Sequence, residues 1–518
     1  MDFGRRWLGM RGAIGASWIG LASLCGSVAA AEAPERVFLQ LVTPTTAVVK
    51  WRGGDADQAC WAKKLSDLRK RNWPHCASGV STEGGHLEAG FSSLAPDHDY
   101  YYILGAPGPD AATDVQQRFR TPPPNNKSPK DGNVHIWIVG DSGTATETQL
   151  RPPLGDGVSP THPGEAIEVK EGFLAYNADK EPVDLFVLLG DNAYIEGRDS
   201  QWQGAFFEIY PEIIKGAPVL PTIGNHEMGG ADFDIGVLFG FPPGALITFL
   251  GGTSDSADPF SYDDGDPSTV DDGPPYLTIF SLPSGGESGG VASGTEQYYA
   301  VDYGNVHLVS LDSQLSNRDP VQRQAMADWL VADLSANVRD WTIVFFHHPP
   351  YSKGENHDSD QEQAEIDMRE VFTPIFDAYG VDVVYNGHSH SYERSYYMGG
   401  HTGLSTTFDL ATHAELNASG AGASGQGSEA YPQISATSGA DDKVVYTVAG
   451  SSGKADELDP CNPGEVLGCT PADWLQHPAH YLSLPEKGSV VLDATATSLT
   501  SRFIDVDGAV VDSFTITR

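Results

Sequence analysis

The sequence predicts an α/β domain preceded by a smaller all-β region, and three observations carry that prediction. From about Val134 onward, near-continuous apolar runs alternate with helical patterns, as buried strands and their crossover helices do. Before about Thr121 the runs are short, β-branched or aromatic, and separated by turn residues. Five of the later apolar runs stop in a short stretch that carries Asp, Asn, Tyr or His. In open α/β sheets, ligands gather at such carboxyl ends of strands.

The first residues read as a secretory signal. Arg5, Arg6 and Arg11 form a basic start, an apolar stretch runs from about Ala13 to Cys25, and small residues follow from Ser27 to Ala31. That apolar stretch is too short to span a bilayer comfortably. Residues 1–31 are therefore expected to be removed, and the protein to be extracytoplasmic, secreted or periplasmic, with no membrane attachment afterwards. The chain carries 31 Lys and Arg against 70 Asp and Glu, a formal charge of −39. Such a balance argues against nucleic acid or an anionic membrane as partner. Of five Cys, Cys25 leaves with the signal. The other four form two local pairs, and proximity favours the bridges Cys60–Cys76 and Cys461–Cys469 among the possible connectivities.

The all-β region is expected over 32–122, with strands at Val37–Leu41, Ala47–Trp51, Tyr100–Leu104 and Gln117–Thr121. The stretches VTPTTAVVKW and LAPDHDYYYILG resemble a fibronectin type III-like sandwich. Pro122 to Asn126 reads as a stiff linker, and the larger domain follows over 130–518. Its strands are expected at Val134–Val139, Leu185–Leu189, Val306–Leu311, Thr342–Phe346 and Val381–Tyr385, with more in the tail from Val490 to Thr517. One helix starts at an Asp319 cap with Pro320 at its first position, and puts Met326, Trp329, Leu330 and Leu334 on one face. A second runs from about Gln361 to Tyr379 with Ile366, Val371, Ile375 and Phe376 inward, and stops at Gly380. Two stretches, about 228–296 and 402–442, are rich in Gly, Pro, Asp, Ser and Ala and read as long surface insertions. The acidic run from Asp263 to Asp272 offers Ca²⁺ ligand types, but its imperfect spacing favours a solvated loop.

The chemistry-bearing stretches are Gly140-Asp141-Ser142-Gly143, Gly190-Asp191-Asn192-Ala193-Tyr194, Gly224-Asn225-His226-Glu227, Val344-Phe345-Phe346-His347 and Gly387-His388-Ser389-His390. Each is weak alone; five in order are not. Their donors are oxygen and imidazole nitrogen with no thiolate, which excludes a soft metal site. Two ions roughly 3.5–4 Å apart can clamp a phosphoryl group and acidify a water. The glycines are expected to let the backbone turn sharply, and Asp191 is placed to bridge. His135 and His307 fall within strands and read as satisfied core histidines. His75, His86, His98, His162, His401, His413, His477 and His480 read as surface or loop residues. Arg394 is open between a carboxylate partner near the site and a structural pair.

The ordered set GDSG, GDNAY, GNHE, VFFH and GHSH resembles the purple acid phosphatases within the dinuclear metallophosphoesterases. The tyrosine of GDNAY is the narrower mark, and the likeness extends through TEQYYAVDYGNVHLVSLDS, HHPPYSKG and GHSHSYERS. The resemblance implies a four-layer αββα sandwich. It implies Asp141, Tyr194 and His390 on a first metal, typically Fe(III), and Asn225, His347 and His388 on a second, divalent Fe, Zn or Mn, with Asp191 bridging. His226 is implied to contact phosphate or protonate the leaving oxygen, with His357 helping from the rim, where plant members often carry two adjacent His and this chain has Asn356 beside it. The implied activity is hydrolysis of small phosphate monoesters by a metal-bound hydroxide. Its alternatives are a phosphodiesterase or nucleotide hydrolase on the same site, and a non-catalytic cell-surface binding protein.

Overall fold

The apolar runs that lead into the site stretches become the parallel strands of two stacked sheets. A computed structural model describes residues 33–71, 74–109, 111–143, 165–194, 197–228, 274–354, 357–433, 443–455 and 474–518. The expected signal segment, the acidic run at Asp263 to Asp272, the pair Cys461 and Cys469, and Asn356 lie outside the described residues. Each large sheet has seven strands. In the first, Val134–Val139, Leu185–Leu188 and Val219–Pro221 are parallel, and the antiparallel tail strands Gly488–Ala494, Ser498–Asp505 and Val510–Thr517 extend it. In the second, Val306–Ser310, Trp341–Phe345, Val383–Asn386 and Val444–Ala449 are parallel. Tyr299–Tyr303, Tyr392–Met398 and His480–Leu484 complete it antiparallel.

The sheets face one another across an apolar layer. Tyr392 of the second stacks on Phe503 of the first at 4.2 Å, and Tyr385 Oη donates to Ser501 Oγ at 2.9 Å. Helices cover both outer faces. Trp137 stacks on Phe173 of the helix Glu165–Asn177 at 4.1 Å. Behind the second sheet, Val309, Val344 and Val384 meet Met326 and Leu330 of the helix Pro320–Ala336, and Phe372 and Phe376. Asp319 caps that first helix by accepting from the N–H groups of Val321 and Gln322.

The next helix departs from its predicted face. Its buried residues are Glu365, Met368, Arg369, Phe372, Thr373 and Phe376, while Ile366, Val371 and Ile375 are only half-buried. A π-turn at Met368–Phe372 shifts the register. The charged Arg369 is drawn inward because its guanidinium donates to the carbonyls of Pro350 and Ser359.

The first described residues form two four-stranded antiparallel sheets around Leu39, Val49, Trp51, Trp61, Phe91, Tyr102 and Phe119. Cys60 and Cys76 sit opposite each other on adjacent strands and are bridged. This region packs directly against the larger domain, and the proline run is part of the contact. Pro122 and Pro123 are buried, and Asn126 exchanges hydrogen bonds with Asp340 at 2.8 and 3.0 Å. Phe38 inserts into the main core against Phe207 and Phe280, and Arg36 and Arg52 both donate to the Asp199 carboxylate.

The described parts of both expected insertions include residues that pack into the domain. Within 274–296, Tyr276, Ile279 and Phe280 are buried in the main core, and Tyr276 Oη donates to the Pro221 carbonyl at 3.0 Å. Within 402–433, Tyr431–Pro432 pairs with the last tail strand. His86, His401 and His477 are likewise buried rather than surface residues. Burial, with Lys50 and Arg36 nearby, pushes the His86 imidazole down to about 3.

Candidate metal centre

Five strand-end loops converge because the parallel strands of both sheets present their carboxyl ends to the same place. The loops also bind one another: Asp141 N–H donates to the Gly190 carbonyl, Gly143 N–H to the Asp191 carbonyl, and Gly387 N–H to the His347 carbonyl, at 3.0–3.1 Å. The backbone solution differs from the expected one. The sharp left-handed turn falls on the residue after the glycine: φ is +53° at Asp141, +53° at Asp191 and +70° at His388. Non-glycine residues held there store strain, a pattern that clusters at functional sites. Gly190 alone of the five glycines in these stretches has positive φ. Gly224 and Gly387 are required by close approach, since a Cβ on them would sit 2.1 Å from Asp191 Oδ1 and 2.5 Å from Asp141 Oδ2.

All seven sequence-predicted metal ligands come together, in two groups. Tyr194 Oη lies 3.1 Å from Asp141 Oδ1, 2.9 Å from Asp191 Oδ2 and 3.2 Å from His390 Nε2. Asn225 Oδ1 lies 2.9 Å from His347 Nε2 and 3.0 Å from His388 Nδ1, and those two nitrogens are 3.2 Å apart. Asp191 Oδ2 belongs to both groups, being 3.3 Å from His347 Nε2. Outer partners fix the rings. His347 Nδ1 faces the Leu189 carbonyl at 2.9 Å, and His388 Nε2 faces Glu362 Oε2 at 2.9 Å. Each arrangement turns the remaining nitrogen inward.

The electrostatics follow from two carboxylates and three imidazoles sharing one buried space. Burial raises Asp141 well above the usual carboxylate range, and the Asp191 charge adds to this. Burial pushes Asp191 the same way, but His347 and His226 outweigh it and hold Asp191 well below that range. His347, pulled down by burial, is carried up to about 10 by Asp191 and Asp141. Burial and His357 push His388 down to about 3. Converging oxygen and imidazole donors of this kind fit hard or borderline cations. Two of the groupings, Asp141 with Asp191 and His347, and His347 with His348 and His388, offer atoms within 4.8 Å of one another.

The two predicted catalytic histidines occupy the open side. His226 and His357 side chains are 18% and 20% exposed, against 0% for His347. His226 N–H donates to Asp191 Oδ1 at 2.9 Å, and its ring lies 4.3 Å from that of Tyr194. The His357 ring lies tilted against that of His388, with centroids 3.8 Å apart, and its Nδ1 faces Glu362 Oε1 at 2.9 Å. His348 is tied to Ser313 Oγ at 2.9 Å. Arg394 resolves as structural: it pairs with Asp512 on a tail strand and lies over Tyr481.

Three features were missed from sequence. Glu227 accepts from the N–H groups of Asp191, Asn192 and Gly224 at 2.6–2.8 Å, and burial beside Asp191 pushes it up to about 7. Its place in the GNHE stretch was the available signal. Glu362 links His357 to His388 and carries no motif. A sixth loop after Val444–Ala449 runs under the site: Gly450 N–H donates to the Ser391 carbonyl, and Ser452 exchanges hydrogen bonds with Gly140. The residues directly after the strand, Gly450 to Ala455, include no Asp, Asn, Glu or His and so gave no signal.

A profile of the family described as Calcineurin-like phosphoesterase matches residues 134–392, half of the chain. The chain belongs to that family. It is similar to purple acid phosphatase 18 of Arabidopsis thaliana, 27% identical over 373 residues, 70% of this chain and 66% of that protein. It is similar also to purple acid phosphatase 22 of Arabidopsis thaliana, 26% identical over 312 residues, 60% of this chain and 53% of that one. The chain thus spans less than two thirds of the length of these relatives. Its fold is like that of the purple acid phosphatase PPD1 from yellow lupin (Lupinus luteus) seeds, with a TM-score of 0.60 at 18% identity, covering 94% of this chain and 74% of that one. It is also like PhoD, with a TM-score of 0.51 at 11% identity, covering 93% and 89%. Among the described residues no helix is long and apolar enough to cross a membrane.

Proposed function

We propose that this protein is a metal-dependent phosphatase that hydrolyses small phosphate monoesters at a dinuclear centre. Asp141, Tyr194 and His390 would hold one ion, Fe(III), and Asn225, His347 and His388 a divalent Fe, Zn or Mn, with Asp191 common to both. The observation that carries the reading is the shared Asp191 Oδ2, within 3.3 Å of donors from both groups. Bound there, two cations would supply Lewis-acid stabilisation of the phosphoryl oxygens and an acidified water. The chain's own residues do the rest. Leu189 and Glu362 orient the His347 and His388 rings. His226, on the open side and anchored through its N–H to Asp191, is positioned to give a proton to the departing ester oxygen. His357, steadied by Glu362, lines the opposite rim. The proposal includes secretion, a fibronectin type III-like accessory region at 32–122 and a catalytic region at 130–518. Metal analysis of the purified protein, followed by turnover of a generic aryl phosphate, tests it. Two bound ions with hydrolysis are expected; a metal-free protein without hydrolysis overturns it.

A further inference from the structure

Glu393 is a fully buried carboxylate with no Lys or Arg side chain paired to it among the described residues. Its neighbour Arg394 is engaged by Asp512 instead. Yet hydrogen-bonding groups surround it. Oε1 accepts from the hydroxyls of Ser389, Ser391 and Ser352 at 2.9, 3.0 and 2.7 Å. Oε2 accepts from Lys353 N–H at 3.1 Å and faces His480 Nδ1 at 3.2 Å. Desolvating a carboxylate is costly unless such partners are supplied. An apolar side chain would fill the same volume without that cost, so the charge has a use beyond packing.

The partners show what the use is. Ser389 lies between His388 and His390, and Ser391 directly follows them. Ser352 and Lys353 begin the rim loop that carries His357, a loop closed by Ser352 N–H donating to Ser359 Oγ at 3.1 Å and by Ser359 N–H donating to the Ser352 carbonyl at 3.2 Å. One carboxylate therefore grips two loops that come from different crossovers. It also sets a negative charge beneath the loop whose two imidazoles face the centre.

We propose that Glu393 is a positioning residue that locks the His388–His390 loop to the His357 rim loop, and so fixes both the metal-facing imidazoles and the substrate-side histidine. This rests on the reading of His388 and His390 as metal ligands. The carboxylate does not touch substrate; it acts through Ser389 and Ser352.

The test uses the full protein loaded with Zn²⁺ or Mn²⁺, measuring metal retention against a competing chelator together with kcat and KM for an aryl phosphate. Glu393→Gln keeps the shape but removes the charge and one acceptor. It is expected to weaken metal retention or kcat roughly 10–100-fold, the usual cost of losing an outer partner, with KM changed far less. Glu393→Asp, which restores the charge at shorter reach, is expected to recover part of the loss. Ser389→Ala, a smaller change that keeps the loop measurable if the Gln variant does not fold, is expected to shift the same readouts in the same direction. Wild-type metal retention and kcat in both the Gln and the Ala variant would overturn the inference while leaving the phosphatase reading intact. A wild-type protein that takes up no metal would overturn both.

Discussion

His307 sits within, and His347 just past the end of, neighbouring parallel strands of the second sheet, both buried, both beside carboxylates, and they do opposite things. His307 is closed on both sides, with Asp302 Oδ1 at 2.8 Å from Nδ1 and Asp333 Oδ2 at 2.7 Å from Nε2. His347 is closed on one side only, by the Leu189 carbonyl, and its other nitrogen faces Asn225, Asp191 and His388 at 2.9–3.3 Å. Both imidazoles are raised, His307 to about 9 and His347 to about 10, in each case by carboxylates that outweigh burial. A raised pKa therefore does not separate a structural histidine from a site histidine. The number of groups sharing the second nitrogen does.

The largest expected effect tests the shared oxygen. Asp191→Asn should release both ions and cost more activity than the about 10–100-fold typical of an outer partner. Elemental analysis of the variant checks it, and two retained equivalents would break the comparison on the His347 side. Next, His226→Ala should leave both ions bound and slow turnover roughly 10²–10⁴-fold. The loss should shrink for esters with good leaving groups, and an equal loss across a leaving-group series would count against the proton-donor role.

The third prediction concerns the closed histidine. His307→Leu strands the buried Asp333, and should cost about 3–5 kcal/mol in unfolding free energy while turnover per folded molecule holds. Its pH dependence has a definite sign. A group raised in the folded state adds stability that is full below its unfolded value near 6.5, and loses it as pH rises through about 9. Denaturant unfolding of wild type against the Leu variant between these limits measures it, and a gap that does not narrow at high pH would refute the pairing. The smallest effect among the site substitutions is expected from Tyr194→Phe. A phenolate on Fe(III) gives a charge-transfer band, so the purified protein should be coloured and the Phe variant colourless, with activity partly retained and the fold unchanged. Visible absorption decides it; a Phe variant that keeps the band removes Tyr194 from the ligand set.

What was legible in sequence was whatever repeats locally. Val134–Val139 and Pro320–Ala336 were readable because burial imposes a pattern on consecutive residues. The five site loops were readable because a strand end followed by Asp, Asn or His is a short, ordered signal. The role of Glu362 and the link from Glu393 to the rim loop were not, since their partners at His388 and Ser352 lie 26 and 41 residues away and no spacing rule connects them. Apart from Phe376, the inward face of the helix at Gln363–Tyr379 was missed because a π-turn breaks the period on which the reading depended, and because Arg369 is buried by hydrogen bonds rather than by apolarity. Likewise, Gly and Pro around Tyr276 concealed a core aromatic whose hydroxyl reaches Pro221.

Phe38 has a consequence for how this protein can be cut and recombined. Severing the chain at Pro122 would strip that ring from the pocket formed by Phe207 and Phe280, and would leave Asp199 without its two guanidinium partners. The N-terminal sheets are thus no detachable module: grafted elsewhere they would expose an aromatic plug, and the remainder would carry the matching hole. Heat should melt the two together in a single calorimetric transition.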